Sequence, residues 1–234
     1  MNPATPQETP MNKITVLLAD DHTMVREGFR KLLELENDFE VVGEAPDGRQ
    51  AVALVAKLRP AVVLMDIAMP LLNGLEATRQ ILKAFPATKV LILSGHHDDA
   101  SVNKAVHSGA VGFLLKQTST RNLCRAVREI QNGKTLFGPM SNRFDGLQPP
   151  SPSQAGLRSK NVAELTSREM EVLQLVAEGK TNKESAMELG VGVKTIEKHR
   201  GHLRQKLNVH DTAGLTRYAI GAGIIESSVQ LTTV

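Results

Sequence analysis

The chain has one cysteine, one tyrosine and no tryptophan among its 234 residues. A single cysteine excludes a disulfide framework and a cysteine-based zinc centre, and it suits a reducing compartment. Aromatic residues are only 3% of the total, so the core must be aliphatic. The scarcity of rings also disfavours the base-stacking platforms of single-strand binders. No uninterrupted apolar run approaches the roughly 18–20 residues a membrane-spanning helix needs. The first ten residues are polar, contain Pro3, Pro6 and Pro10, and lack the basic-then-apolar pattern of a secretory leader. These absences predict a cytoplasmic protein without membrane association, with residues 1–12 as a disordered tail. Charge of one sign is also missing: 28 Lys and Arg face 25 Asp and Glu, a formal net of +3. That total argues neither for nor against nucleic acid.

Hydrophobic residues make up 41% and charged residues 23%, which is a globular composition. The stretch MSNRFDGLQPPSPSQAGLRSKN, from Met140, is rich in Ser, Pro, Gly and Gln and has no apolar periodicity. It reads as a linker over 140–162, dividing a domain at 13–139 from one at 163–234. In the first, almost wholly apolar runs at 14–19, 40–44, 62–65, 89–93 and 112–115 alternate with helical patterns. Those patterns fall near 24–35, 48–58, 74–84, 100–108 and 120–132. Five βα units predict an α/β domain whose five-stranded parallel sheet is doubly wound, with helices on both faces. The second segment reads as small and all-α. Thr166-Ser-Arg-Glu169 and Thr181-Asn-Lys-Glu184 have the capping-box spacing, and helices are expected near 167–178, 182–189, 193–207 and 212–222. Gly190-Val191-Gly192 joins the middle two in a tight corner, a helix-turn-helix layout.

In a parallel α/β sheet, ligands sit beyond the carboxyl ends of the strands. Here those ends carry Asp20-Asp21, Asp66, Ser94 and Lys116. Three adjacent carboxylates repel one another unless a cation sits among them. Oxygen ligands with open positions suit Mg²⁺. A carboxylate beside Mg²⁺ can attack phosphorus, while a lysine and a hydroxyl offset charge on the transferring group. Any one of these residues alone would be an ordinary cap or surface group; the joint pattern on successive strands is what carries the reading. No Gly-rich phosphate loop follows the first strand, which argues against a nucleotide- or flavin-binding enzyme on the same kind of sheet.

The stretches VLLADDHTMVREGFRKLL, VVLMDIAMPLLNGLEA, VLILSG and GAVGFLLK resemble those of a two-component receiver domain, which has a flavodoxin-like sheet. The resemblance implies that Asp66 is the phosphoacceptor. It implies that Asp20, Asp21, Asp66 and the Ala68 carbonyl hold Mg²⁺, and that Ser94 and Lys116 contact the phosphoryl group. Phe113 corresponds to the switch aromatic, and Pro70 and Gly74 to the loop after the acceptor. The family usually has proline after the lysine, often in a cis peptide; here Gln117 stands there. A non-proline cis bond costs roughly 3 kcal/mol, so a trans Lys116–Gln117 bond is expected. His96 is expected to border the pocket.

In the second segment, Lys194, Lys198, Arg200, Arg204 and Lys206 face only Glu197 over residues 193–208, a net of +4 on one helix. Ile196, Leu203 and Leu207 share its apolar face, with Glu197, Lys198, Gly201, Arg204 and Gln205 broadly opposite. The second helix of such a pair enters the major groove of duplex DNA. LTSREMEVLQLVAEGKTNKESAMEL and KTIEKHRGHLRQKLNV resemble the LuxR-type helix-turn-helix of NarL/FixJ response regulators. The resemblance implies DNA contacts from Lys183, Lys194, Thr195, Glu197, Lys198, Arg200, Gly201, Arg204 and Lys206. Of these, Glu197, Lys198 and Gly201 are directed toward base edges. Lys can donate to guanine and Glu can accept from cytosine. Ser185 replaces the family's isoleucine; its hydroxyl must bond back to a carbonyl or go poorly satisfied. Gly201 costs about 1 kcal/mol against alanine within an exposed helix.

The implied partners are a sensor histidine kinase or small phosphodonor, double-stranded DNA, a second copy of the chain when active, and RNA polymerase. The reading is a DNA-binding response regulator, not an enzyme. Its rival is a constitutive DNA-binding regulator whose receiver is a phosphorylation-independent dimerisation or partner module. Cys124, Met65 and Met69 are read as packing residues. Four consecutive loop residues, His96-His97-Asp98-Asp99, cannot readily surround one ion.

Overall fold

The computed structural model describes residues 13–95, 99–137 and 165–225. The expected tail, the linker and the position of His96 lie outside them. The first domain is a five-stranded sheet in the order β2-β1-β3-β4-β5, with every pairing parallel. The strands are β1 (Ile14–Ala19), β2 (Phe39–Ala45), β3 (Val62–Asp66), β4 (Lys89–Ser94) and β5 (Gly112–Leu115). The helices are α1 (Thr23–Glu34), α2 (Gly48–Leu58), α3 (Gly74–Ala84), α4 (Asp99–Ser108) and α5 (Thr120–Gln131). β2 runs one residue further at each end than its apolar run suggests, because Phe39 and Ala45 are themselves buried.

Successive side chains of a strand point to opposite faces, and the sheet uses this to build two cores. Leu17, Ala19, Val63, Met65, Val90, Ile92 and Phe113 pack on one face against Ala51, Val55, Leu75, Ala77, Ile81 and Ala105. Val16, Leu18, Leu64, Leu91, Leu93 and Leu114 pack on the other against Phe29, Leu33, Leu123, Cys124, Val127 and Ile130. Each fully buried aliphatic side chain contributes roughly 1.5–3 kcal/mol, so helices on both faces are needed. Cys124 and Met65 are packing residues, as expected, and burial pushes the Cys124 thiol pKa up.

The second domain consists, among the described residues, of α6 (Ser167–Ala177), α7 (Asn182–Leu189), α8 (Val193–Leu207) and α9 (Thr212–Gly221). Both capping boxes form: Thr166 and Thr181 cap the backbones of Glu169 and Glu184, whose carboxylates reach back. α7 stops at Gly190, whose φ of 62° lies in the left-handed region that glycine enters at little cost. Val172, Leu173, Leu175, Ile196, Leu203, Leu215 and Ala219 form its core. Ile196 and Leu203 are fully buried as expected, while Leu207 lies only partly covered against them.

The Ser185 hydroxyl is fully buried and has no hydrogen-bond partner. Burying a hydroxyl in that way costs about 1–3 kcal/mol on the scale of protein mutational data. Ser185→Ala is therefore expected to stabilise the second domain by about 1 kcal/mol, seen as a higher urea midpoint with unchanged slope. Gly74 answers to the opposite constraint, since a Cβ there would collide with the Asp66 backbone carbonyl. Gly74→Ala should destabilise the first domain by about 1–3 kcal/mol, read from its thermal midpoint.

Candidate functional site

β1 and β3 are neighbours, with Ala19 in register with Met65. The residues that follow or end these strands, Asp20 and Asp66, therefore emerge side by side at one edge of the sheet. β4 delivers Ser94 beside them, and β5 leads into Lys116, whose backbone N–H donates to the Ser94 carbonyl at 2.8 Å. The Lys116 Nζ sits between two buried carboxylates, 2.7 Å from Asp20 Oδ2 and 2.8 Å from Asp66 Oδ2. Lys116–Gln117 is trans, as no cis peptide occurs among the described residues.

Asp20, Asp21, His22 and Asp66 each place a ligand atom within 4.8 Å of the others. Asp20 and Asp66 are buried, whereas Asp21 and His22 lie at the open side. Burial raises the Asp66 carboxyl to about 6, against the opposing pull of Lys116. Three carboxylates facing one ammonium leave an excess of negative charge, and the donors are mainly oxygens. This set fits a divalent cation such as Mg²⁺. Ala68 lines the same cavity as Asp66 and Ser94. The sequence reading brought together the acids, Ser94 and Lys116, but it missed His22. Its ring Nδ1 lies 2.7 Å from Asp21 Oδ1 and 3.2 Å from Asp20 Oδ1. The only signal was its place immediately after the Asp pair. Phe113 is buried in the α2–α4 side of the sheet, opposite Ile92 in register.

The second candidate site is the outer face of α8. Lys194, Thr195, Glu197, Lys198, Gly201 and Arg204 are all exposed there, as is Lys183 on α7. A Cβ on Gly201 would meet nothing within 4 Å, so packing does not demand glycine at that position. Two expected cations are engaged inside the domain. Arg200 donates to Asn182 Oδ1 at 2.8 Å and to Thr212 Oγ1 at 2.9 Å, tying α8 to α7 and α9. Lys206 donates to Glu169 Oε2 at 2.7 Å, tying α8 to α6. Burial and the neighbouring Arg204 lower the Arg200 pKa.

Comparison with known proteins agrees with both halves of this geometry. The family model described as "Response regulator receiver domain" matches residues 16–128. The model described as "Bacterial regulatory proteins, luxR family" matches residues 163–219. The transcriptional regulatory protein DegU of Brevibacillus brevis is 38% identical over 212 residues, covering 86% of this chain and 90% of its own. LiaR of Bacillus subtilis, another transcriptional regulatory protein, is 37% identical over 206 residues, covering 88% and 96%. A solved structure of the Salmonella typhimurium response regulator RcsB, described in terms of DNA interaction, superposes with a TM-score of 0.50 at 29% identity. It covers 89% of this chain and 98% of that one.

The fold and the two matched regions define a two-domain transcriptional regulator. The chain belongs to the two-component response regulators that join a receiver domain to a LuxR-type helix-turn-helix domain. No described helix is long and apolar enough to cross a membrane.

The raised Asp66 pKa has a consequence for stability without metal. A carboxyl held above its ordinary 3.8, at about 6, favours folding most below that ordinary value. The advantage is lost as pH rises through about 6. In EDTA, Asp66→Asn should therefore be more stable than the parent at pH 8, by on the order of 2–3 kcal/mol. The gap should close toward pH 4. Thermal midpoints at the two pH values check this.

Proposed function

We propose that the protein receives a phosphoryl group on Asp66 and that this controls its sequence-specific binding to double-stranded DNA. The observation that carries the reading is the Lys116 ammonium held between Asp20 and Asp66 at the strand ends. An Asp66 carboxylate oxygen attacks phosphorus, and the bond from phosphorus to the donor breaks. The donor is a phosphohistidine of a sensor kinase or a small acyl phosphate. Lys116 turns from the free carboxylate toward a phosphoryl oxygen, and the Ser94 hydroxyl donates to another. Asp20, Asp21, Asp66 and the Ala68 carbonyl would hold Mg²⁺, which when bound offsets the charge of the transferring group. Movement of Ser94 toward the phosphoryl group frees space for Phe113 to shift, which alters the α4–β5–α5 surface. The chain itself is a regulator and not an enzyme, acting in the cytoplasm as a homodimer when phosphorylated, with RNA polymerase as a further partner.

On the DNA side, the exposure of the α8 face supports base contacts from Glu197, Lys198 and Gly201. Phosphate contacts come from Lys183, Lys194, Thr195 and Arg204. Arg200 and Lys206 reach phosphate only by leaving Asn182, Thr212 and Glu169. The completeness of the acidic pocket speaks against a receiver that serves only as a phosphorylation-independent module.

Acetyl phosphate with Mg²⁺ should add one phosphoryl group to the intact chain and none to Asp66→Asn, as read by mass spectrometry. Failure of the parent chain under conditions that modify another receiver would overturn the reading. Lys194→Ala should lower the slope of log affinity for duplex DNA against log salt by about one.

A further inference from the structure

The two domains meet at the loop that follows β3. The Gln174 side chain, fully buried on α6, donates from Nε2 to the Met69 carbonyl at 2.9 Å. Its Oε1 accepts from the Asn73 backbone N–H at 2.7 Å and from Asn73 Nδ2 at 3.1 Å. The segment after α9 also reaches the first domain, where the Lys104 ammonium of α4 donates to the Ala222 carbonyl at 2.8 Å. Gly223 follows at a φ of 64°, and a Cβ on it would stand only 2.9 Å from that ammonium. Glycine lets the backbone come this close.

A cavity of about 180 Å³ lies beside this contact. It is lined by Asp66, Ala68 and Ser94 of the phosphoacceptor site and also by Lys104, Ile224 and Ile225. One enclosed water needs about 10–15 Å³ of such space, so there is room for a whole small molecule next to the carboxylate. The two isoleucines supply apolar surface. Lys104 supplies a positive charge, half-buried and without a carboxylate partner among the described residues. The neutral Ala222 carbonyl takes one of its three ammonium protons, which leaves two protons and the full charge for a ligand. Lys116, by contrast, is already held by Asp20 and Asp66.

We propose that this cavity is a subsite for small acyl phosphates, in which Lys104 contacts the leaving carboxylate while Asp66 takes the phosphoryl group. The inference rests on the proposed phosphorylation of Asp66 and names the donor chemistry that the pocket favours. An acyl phosphate has a phosphoryl end, a carboxyl end and a short organic group, which match Ser94, Lys104 and the isoleucine wall in turn. An Asp66 oxygen forms a bond to phosphorus. The bond from phosphorus to the acyl oxygen breaks, and its electron pair departs with the carboxylate. That oxygen carries little charge in the intact donor, and most of a negative charge develops on it in a loose transition state. The ammonium therefore acts chiefly on the transition state and raises the maximal rate more than the affinity. A donor whose leaving group departs uncharged gains nothing from it. In phosphoramidate the nitrogen already carries its protons; the P–N electron pair stays with it, and neutral ammonia leaves.

The test follows modification of the full chain with Mg²⁺ by intact mass, over a range of acetyl phosphate concentrations and, separately, of phosphoramidate. Lys104→Met is expected to lower the maximal rate with acetyl phosphate about tenfold, less than an enclosed oxyanion contact gives because the ammonium is half-exposed. The half-saturating concentration should change little, and the phosphoramidate rate should stay within about twofold. Lys104→Arg keeps the charge and should remain within about threefold of the parent with both donors. Carbamoyl phosphate, which releases a carbamate anion, should follow acetyl phosphate. Equal slowing or equal acceleration of acetyl phosphate and phosphoramidate by Lys104→Met would overturn the inference, because loss of the Ala222 contact would then act through the structure alone. No change with either donor would overturn it as well, while leaving phosphorylation of Asp66 intact. No modification of the parent by any of the donors would defeat the proposed function itself.

Discussion

Lys116 stands between two buried carboxylates, and the arrangement of the first domain depends on that contact. β1 and β3 lie at the centre of the sheet, and their ends bring Asp20 and Asp66 together in a place poorly reached by water. Two negative charges there would repel strongly without a cation. The ammonium resolves the conflict only because β5 sits beyond β4, so the chain leaving it crosses back over Ser94. Parallel topology, the order of the strands and the length of β5 thus all bear on a single charge.

That charge balance remains incomplete. Three acids face one lysine, and the Asp66 carboxyl is pushed up to about 6 by its surroundings. A divalent cation would complete the balance and draw the carboxyl back toward its ionised form. The pocket is therefore charged in a way that favours oxygen-seeking cations and, through them, phosphoryl oxygens. The +3 of the whole chain hides this. One site with excess acid and one helix with excess base cancel in the sum.

Much of this was legible in the residues themselves. The starts of α2, α3 and α7 follow from Asp47, Asn73 and Thr181, and the stop of α7 from Gly190, whose local chemistry starts or stops a helix whatever surrounds it. The acidic pocket was legible because strand ends and chemistry coincide in a parallel sheet. His22 was not, since its role depends on a side-chain direction that periodicity does not give. Lys206 and Arg200 read as free cations because net charge says nothing about Glu169, Asn182 and Thr212 waiting nearby. The docking of the two domains was the least legible part. Its one trace was Gln174, a polar residue set within the apolar run of α6; Glu178, one turn on, accepts from its amide, and Met69 and Asn73 of the first domain supply its remaining partners.

Gln174 carries a further implication. One primary amide engages the Met69 carbonyl, the Asn73 backbone N–H and the Asn73 side-chain amide, at the two ends of a five-residue stretch of the loop after β3. Hydrogen bonds weaken steeply with distance and angle, so the three contacts together favour one position of the loop against Gln174. The contact behaves as a key cut for a single register, and it reports shape more than strength. A shift of residues 69–73 by about an ångström away from Gln174 would take contacts of 2.7–3.1 Å beyond hydrogen-bonding reach, giving a small local movement an outcome at the distance of a whole domain.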